Sequence, residues 1–137
     1  MFHAAWPSNR LRRQTAWHFK REYGKAIADF SQASRLDPQR PTNYMDLAWL
    51  QATCPDERYR NGKKAVENAE KYRRLTKSED IQPVVRLACA YAESGDFAKA
   101  REWAEKAIAM ARDDKDKQEL RARLELFKQN KPYREEP

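Results

Sequence analysis

Two cysteines, two histidines and one dense acidic run are the side chains of this 137-residue sequence best suited to chemistry. Cys54 and Cys89 lack the Cys-x-x-Cys spacing of a zinc site, and His3 and His18 stand far from both. No serine or cysteine has a histidine within a recognisable nucleophile motif, and no glycine-rich phosphate loop occurs. Asp113-Asp114-Lys115-Asp116 lacks the glycine and distal glutamate of a calcium loop. It reads instead as the start of a helix, where the backbone dipole favours acids. These patterns predict a chain that is not an enzyme and that needs no metal or cofactor. Cys89, on an apolar helical stretch, is expected as a small core or groove residue.

Charge points to partners rather than reactions. Charged residues make up 36% of the chain and glycine occurs only 3 times, which favours exposed helices over strands and turns. The net charge is +7, and residues 1–40 carry +5 of it, from eight Lys/Arg against three acids. Arg10, Arg12, Arg13, Lys20 and Arg21 surround Trp17 and His18, so nucleic-acid binding through a basic N-terminal helix is the alternative function. The nearly balanced remainder argues against an extended basic track. No apolar run is long enough to span a membrane and no signal-peptide pattern is present, so one cytoplasmic domain is expected.

The elements that must carry these side chains are helical hairpins. Val84, Leu87, Ala88 and Tyr91 recur at helical spacing before Gly95; Phe97, Ala100, Ala104 and Ala107 do so after it. Gly95 is the expected helix stop, since glycine takes the left-handed conformation without a steric cost. The same glycine-then-alanine pattern recurs around Gly24 and Gly62. Ala26, Ala65 and Ala100 are separated by 39 and then 35 residues, the period of helix-pair solenoids.

On these residues the chain resembles the tetratricopeptide repeat (TPR) family. The last hairpin matches through Val84, Leu87, Ala88, Tyr91, Gly95, Phe97, Ala100 and Ala107. It departs from the family with Ala104, where an aromatic is frequent, and lacks the closing proline. The block Leu47-Ala48-Trp49-Leu50-Gln51-Ala52-Thr53-Cys54-Pro55-Asp56, with Tyr59-Arg60-Asn61-Gly62 and Ala65-Val66, is similar to a bacterial subgroup carrying an LAWLxATCPD…YRxGxxAV repeat. The resemblance implies an all-α, right-handed α-solenoid of about three helix pairs plus a C-terminal capping helix. Repeat 1 would cover about 8–38 with a degenerate first helix over Ser8 to Arg21. Repeat 2 would cover 41–76 with an inserted turn, and repeat 3 would cover 80–111. The cap would run over 114–130 with Leu120, Leu124 and Phe127 as its apolar stripe. Residues 131–137 read as a frayed tail; the subgroup's PYRE-like ending offers a docked tail as the alternative.

Stacked repeats of this family bind peptides or partner helices on a concave face lined by the first helix of each pair. Here the implied groove residues are Thr42, Met45, Trp49, Gln82, Val85, Arg86 and Cys89, with Ala52 and Ala92 beside them. Met45, Trp49 and Val85 would form an exposed apolar strip, unless core packing claims them. Of the family's carboxylate clamp only Arg86 is suitably placed, which disfavours chaperone-type recognition. The expected function is therefore a protein-interaction scaffold for a peptide or partner helix. Homo-oligomerisation through the degenerate first repeat is a further expectation.

Overall fold

The computed structural model describes residues 22–77 and 79–135. The predicted helix over Ser8 to Arg21, and the basic cluster on it, lie outside the described residues. Among the described residues the chain forms six α-helices and one short 3-10 turn, with no strand. The helices are α1 (Tyr23–Leu36), α2 (Thr42–Thr53), α3 (Gly62–Thr76), α4 (Ile81–Glu93), α5 (Phe97–Met110) and α6 (Asp114–Lys128). The 3-10 turn Glu57–Tyr59 lies within the inserted α2–α3 connection. Each helix packs on its neighbours in sequence, and α2 also packs on α4.

Helix ends follow from local side chains. Asn61, Asp96 and Asp113 accept hydrogen bonds from the backbone N–H groups of Lys64 (3.1 Å), Lys99 (3.1 Å) and Lys115 (2.7 Å). Each thereby satisfies a donor that the first helical turn leaves open. Helix α4 stops at Gly95, whose φ of +92° demands glycine. There Asp96 N–H bonds back to Tyr91 O (2.9 Å) and Gly95 N–H to Ala92 O (3.1 Å), closing the helix as a Schellman motif. Helix α6 ends the same way around Asn130 (φ 59°), with Lys131 N–H donating to Leu126 O (2.9 Å). Pro132 follows at once, and the chain leaves the helix axis there.

The interior is made by small residues. Ala48, Ala65, Ala69, Ala88, Ala100, Ala104 and Ala107 are buried, so successive helices approach without bulky side chains between them. Gly62 serves the same close approach: a Cβ there would stand 2.4 Å from Ser94 N and 2.6 Å from Glu93 C. Helices α2 and α4 are the most enclosed, and α4 buries nine of its residues. The α6 stripe differs from expectation, because Leu120, Arg123 and Phe127 are buried while Leu124 is only half-buried.

The inserted connection is tied down at both ends. Asp56 accepts from Arg58 N–H and pairs with its guanidinium at 2.6 Å. Arg60 donates to the carbonyls of Cys54 (2.7 Å) and Pro55 (3.2 Å), and its Nε lies 3.5 Å from Glu93. Asn61 N–H donates to Gln51 O at 2.8 Å. Tyr59 packs with Tyr23, Leu50 and Cys54. These residues of the LAWLxATCPD…YRxG block thus hold a loop in shape.

Candidate partner-binding face

The residues expected to line a groove lie on α2 and α4, which the fold sets side by side. Trp49 is at the centre. Its ring has the Arg86 guanidinium carbon of α4 4.9 Å from its centroid and that of Arg123 from α6 at 5.6 Å. Arg123 also stacks on the ring of Tyr133, at 4.1 Å, and the Tyr133 and Trp49 rings are 6.1 Å apart. Guanidinium planes over aromatic faces gain from the ring quadrupole, more so where water is excluded.

The segment after α6 completes this arrangement. Trp49 Nε1–H donates to Glu135 Oε1 at 3.1 Å, and the Tyr133 hydroxyl donates to Glu135 Oε2 at 3.4 Å. Glu135 N–H donates to Thr53 O at 2.7 Å, supplying a partner for a carbonyl at the open end of α2. Arg134 pairs with Glu93 at 3.4 Å. Residues 131–135 are therefore an ordered, extended segment laid across α2 and the end of α4, rather than a frayed tail.

The state of the expected groove residues differs from a free face. Met45, Trp49, Val85, Arg86 and Cys89 are buried, as are Ala52 and Ala92, rather than exposed. Trp49, Val85, Cys89 and Ala92 join Leu120 and Phe127 of α6 in one apolar cluster, with Tyr133 packed against it. Thr42 remains exposed and Gln82 half-buried, each in the first turn of its helix. The structure thus brings Trp49 and Arg86 together and leaves Thr42 and Gln82 outside the stacked cluster.

Sequence reasoning missed Arg123, Thr53, Tyr133 and Glu135 as parts of the site. Arg123 was detectable, because it sits three residues after Leu120 and four before Phe127, on the apolar face. The site's electrostatics follow from enclosure. Burial pushes the Cys89 thiol up to about 11, against a smaller downward pull from Arg123, which favours the protonated thiol. Burial also pushes the Arg86 guanidinium below its ordinary value, opposed first by Asp46 and then by groups including Glu135. An arginine keeps its charge at neutral pH all the same. Its Nε and Nη1, and all three guanidinium nitrogens of Arg123, have no hydrogen-bond acceptor among the described residues.

Comparison with known families places this architecture. Residues 85–114, spanning most of α4, all of α5 and the first residue of α6, match the model of the tetratricopeptide repeat. Repeats of that family form helical solenoids and serve as protein-interaction units, which the all-helical stack of paired helices fits. No curated protein matches the sequence. Among the described residues, no helix is long and apolar enough to cross a membrane.

Proposed function

We propose that the chain is a non-enzymatic interaction module that receives an extended segment of a partner protein on the face made by α2, α4 and α6. The observation behind this reading is the way residues 131–135 lie on that face. One backbone hydrogen bond, one carboxylate on an indole N–H and one aromatic ring on a guanidinium hold a non-helical stretch in a single register. Main-chain hydrogen bonds, aromatic contacts and arginine are each used elsewhere to recognise peptide segments. In this reading Trp49, Val85, Arg86 and Cys89 form the floor, with Met45, Thr42 and Gln82 extending it toward the first turns of α2 and α4. The repeat divisions 8–38, 41–76 and 80–111, with a cap over 114–130, belong to the same proposal.

The test is a selection of displayed random peptides on the full chain, followed by titration of the selected peptides with amide and indole shifts recorded. Shifts should concentrate on Trp49 Nε1–H, Thr53, Cys89 and Arg123. Shifts confined to the outer faces of α3 and α5, or a selection that yields no binder, would overturn the reading.

A further inference from the structure

The contacts that hold residues 131–135 are ones a separate peptide could make, and they are few. Of this segment only Glu135 is buried; Lys131 and Arg134 are exposed, and Pro132 and Tyr133 are half-buried. It contributes no helix, and among the described residues it makes two backbone hydrogen bonds to the body of the protein: Lys131 N–H to Leu126 O, which closes α6, and Glu135 N–H to Thr53 O. Its hinge is the Schellman turn at Asn130, after which Pro132 prevents the helix from continuing.

Beneath it lie more hydrogen-bond donors than it uses. Arg86 is 6% exposed and Arg123 2% exposed, yet five of their guanidinium nitrogens have no acceptor among the described residues. Buried donors without acceptors are costly. Asp46 and Glu135 lie in the field of Arg86, and Asp116 lies in that of Arg123, so the charge is met nearby while these N–H groups are not. A ligand that brings acceptors to them gains what the tail leaves unused, and the stacked Trp49–Arg123–Tyr133 rings define where its aromatic must sit.

We propose that residues 131–135 are a built-in competitor for this face, displaced by a partner segment carrying an aromatic residue and, two residues on, a carboxylate. This rests on the interaction-module reading above. The partner's aromatic takes the place of Tyr133 on Arg123, and its carboxylate takes the place of Glu135 on the Trp49 indole. A short tether holds its own segment at a millimolar effective concentration, so the tail sets a threshold that only a better-matched segment exceeds.

The test uses the blocked peptide Ac-Lys-Pro-Tyr-Arg-Glu-NH2, titrated into the full chain and into its Tyr133→Ala/Glu135→Ala double variant. The double variant should bind the peptide at least tenfold more tightly than the parent, by the order of the tether effect. Replacing the peptide's tyrosine by alanine, or its glutamate by glutamine, should weaken binding to the double variant. Equal affinity for both chains, or equal binding of all three peptides, overturns the proposal. Hydrogen exchange on the unmodified chain keeps the test independent of variant folding. The Glu135 amide should exchange at least about a hundredfold faster than that of Ala88, and equal protection would sink the idea. Light scattering that finds a dimer held by exchanged tails assigns the segment to a second copy and also overturns it. Selected peptides that map to this face but lack the aromatic-x-acid pattern defeat this inference alone; peptides that map elsewhere defeat the interaction-module reading with it.

Discussion

At the scale of single residues, Gly95 and Gly62 do different work. Gly95 turns the chain with a positive φ and open space around it, whereas Gly62 is helical and lies against the backbone of Glu93 and Ser94. Helix propensity alone would make Gly62→Ala stabilising by about 1 kcal/mol. The backbone contact reverses the sign, and we expect urea unfolding to show a loss of about 2–3 kcal/mol from overpacking. Gly95→Ala should lose about 1–2 kcal/mol from left-handed strain alone. If Gly62→Ala is the milder of the two, the close α3–α4 approach is wrong. In the sequence all three glycines read alike, because a glycine before an alanine-bearing helix marks a turn and a tight contact with the same letters. Asp116 is a second residue-scale case. Burial, and then Asp113 and Glu119, push its carboxyl up to about 6. The folded chain therefore holds this proton more tightly than the unfolded chain, whose aspartates titrate near 4. The favourable contribution is complete below about pH 4 and is lost as pH rises through about 6. Asp116→Asn should accordingly stabilise the protein by about 1 kcal/mol at about pH 7.5, screened by partial solvent contact, with the gain gone at about pH 4. Urea titrations at the two pH values measure this, and a pH-independent difference would contradict it.

At the scale of elements, α6 and the segment after it form the part of the site least legible beforehand. The helices α2 to α5 were readable because apolar and small residues recur every three or four positions, and because glycines mark the turns between them. The segment 131–135 has no such period, and its partners Trp49 and Thr53 lie far back in the sequence. Its aromatic and acidic residues therefore look like any polar end. Arg123 was passed over for the opposite reason: an arginine within an apolar stripe reads as the solvated edge of that stripe until a neighbouring ring encloses it. Its role can be separated from packing. Arg123→Met keeps most of the side-chain volume and removes the unmatched donors, and replacing buried charge by apolar atoms is frequently close to neutral. We expect stability within about 1 kcal/mol of the parent, together with faster exchange at the Glu135 amide, because the Tyr133 stacking is lost. A large loss of stability with unchanged exchange would make Arg123 a purely structural residue.

At the scale of the whole molecule, burial is graded along the array. Helix α4 has neighbours in α2, α3 and α5, whereas α1 packs chiefly against α2 among the described elements, with a smaller contact to the 3-10 turn. Leu36 at the end of α1 is 78% exposed. In stacked repeats each unit draws its stability from its neighbours. Hydrogen exchange followed by mass spectrometry should therefore rank α4 and α2 as slowest, and uniform protection from α1 to α6 would refute the gradient. Helix order and type were legible at this scale, since the spacing of Ala26, Ala65 and Ala100 displays the pairing directly. Coverage of the α2–α4 face was not, because it depends on a side-chain meeting between distant parts of the chain. The Trp49–Glu135 hydrogen bond spans 86 positions, whereas most helix packing joins helices next to each other in the sequence or one helix apart. Local contacts form early and distant ones late. During synthesis, α2 and α4 are made before residues 131–135, so Trp49 gains the last of its cover when that segment follows. Under the displacement proposed above, a partner present during synthesis would meet the face without competition, whereas one arriving later would first have to dislodge residues 131–135.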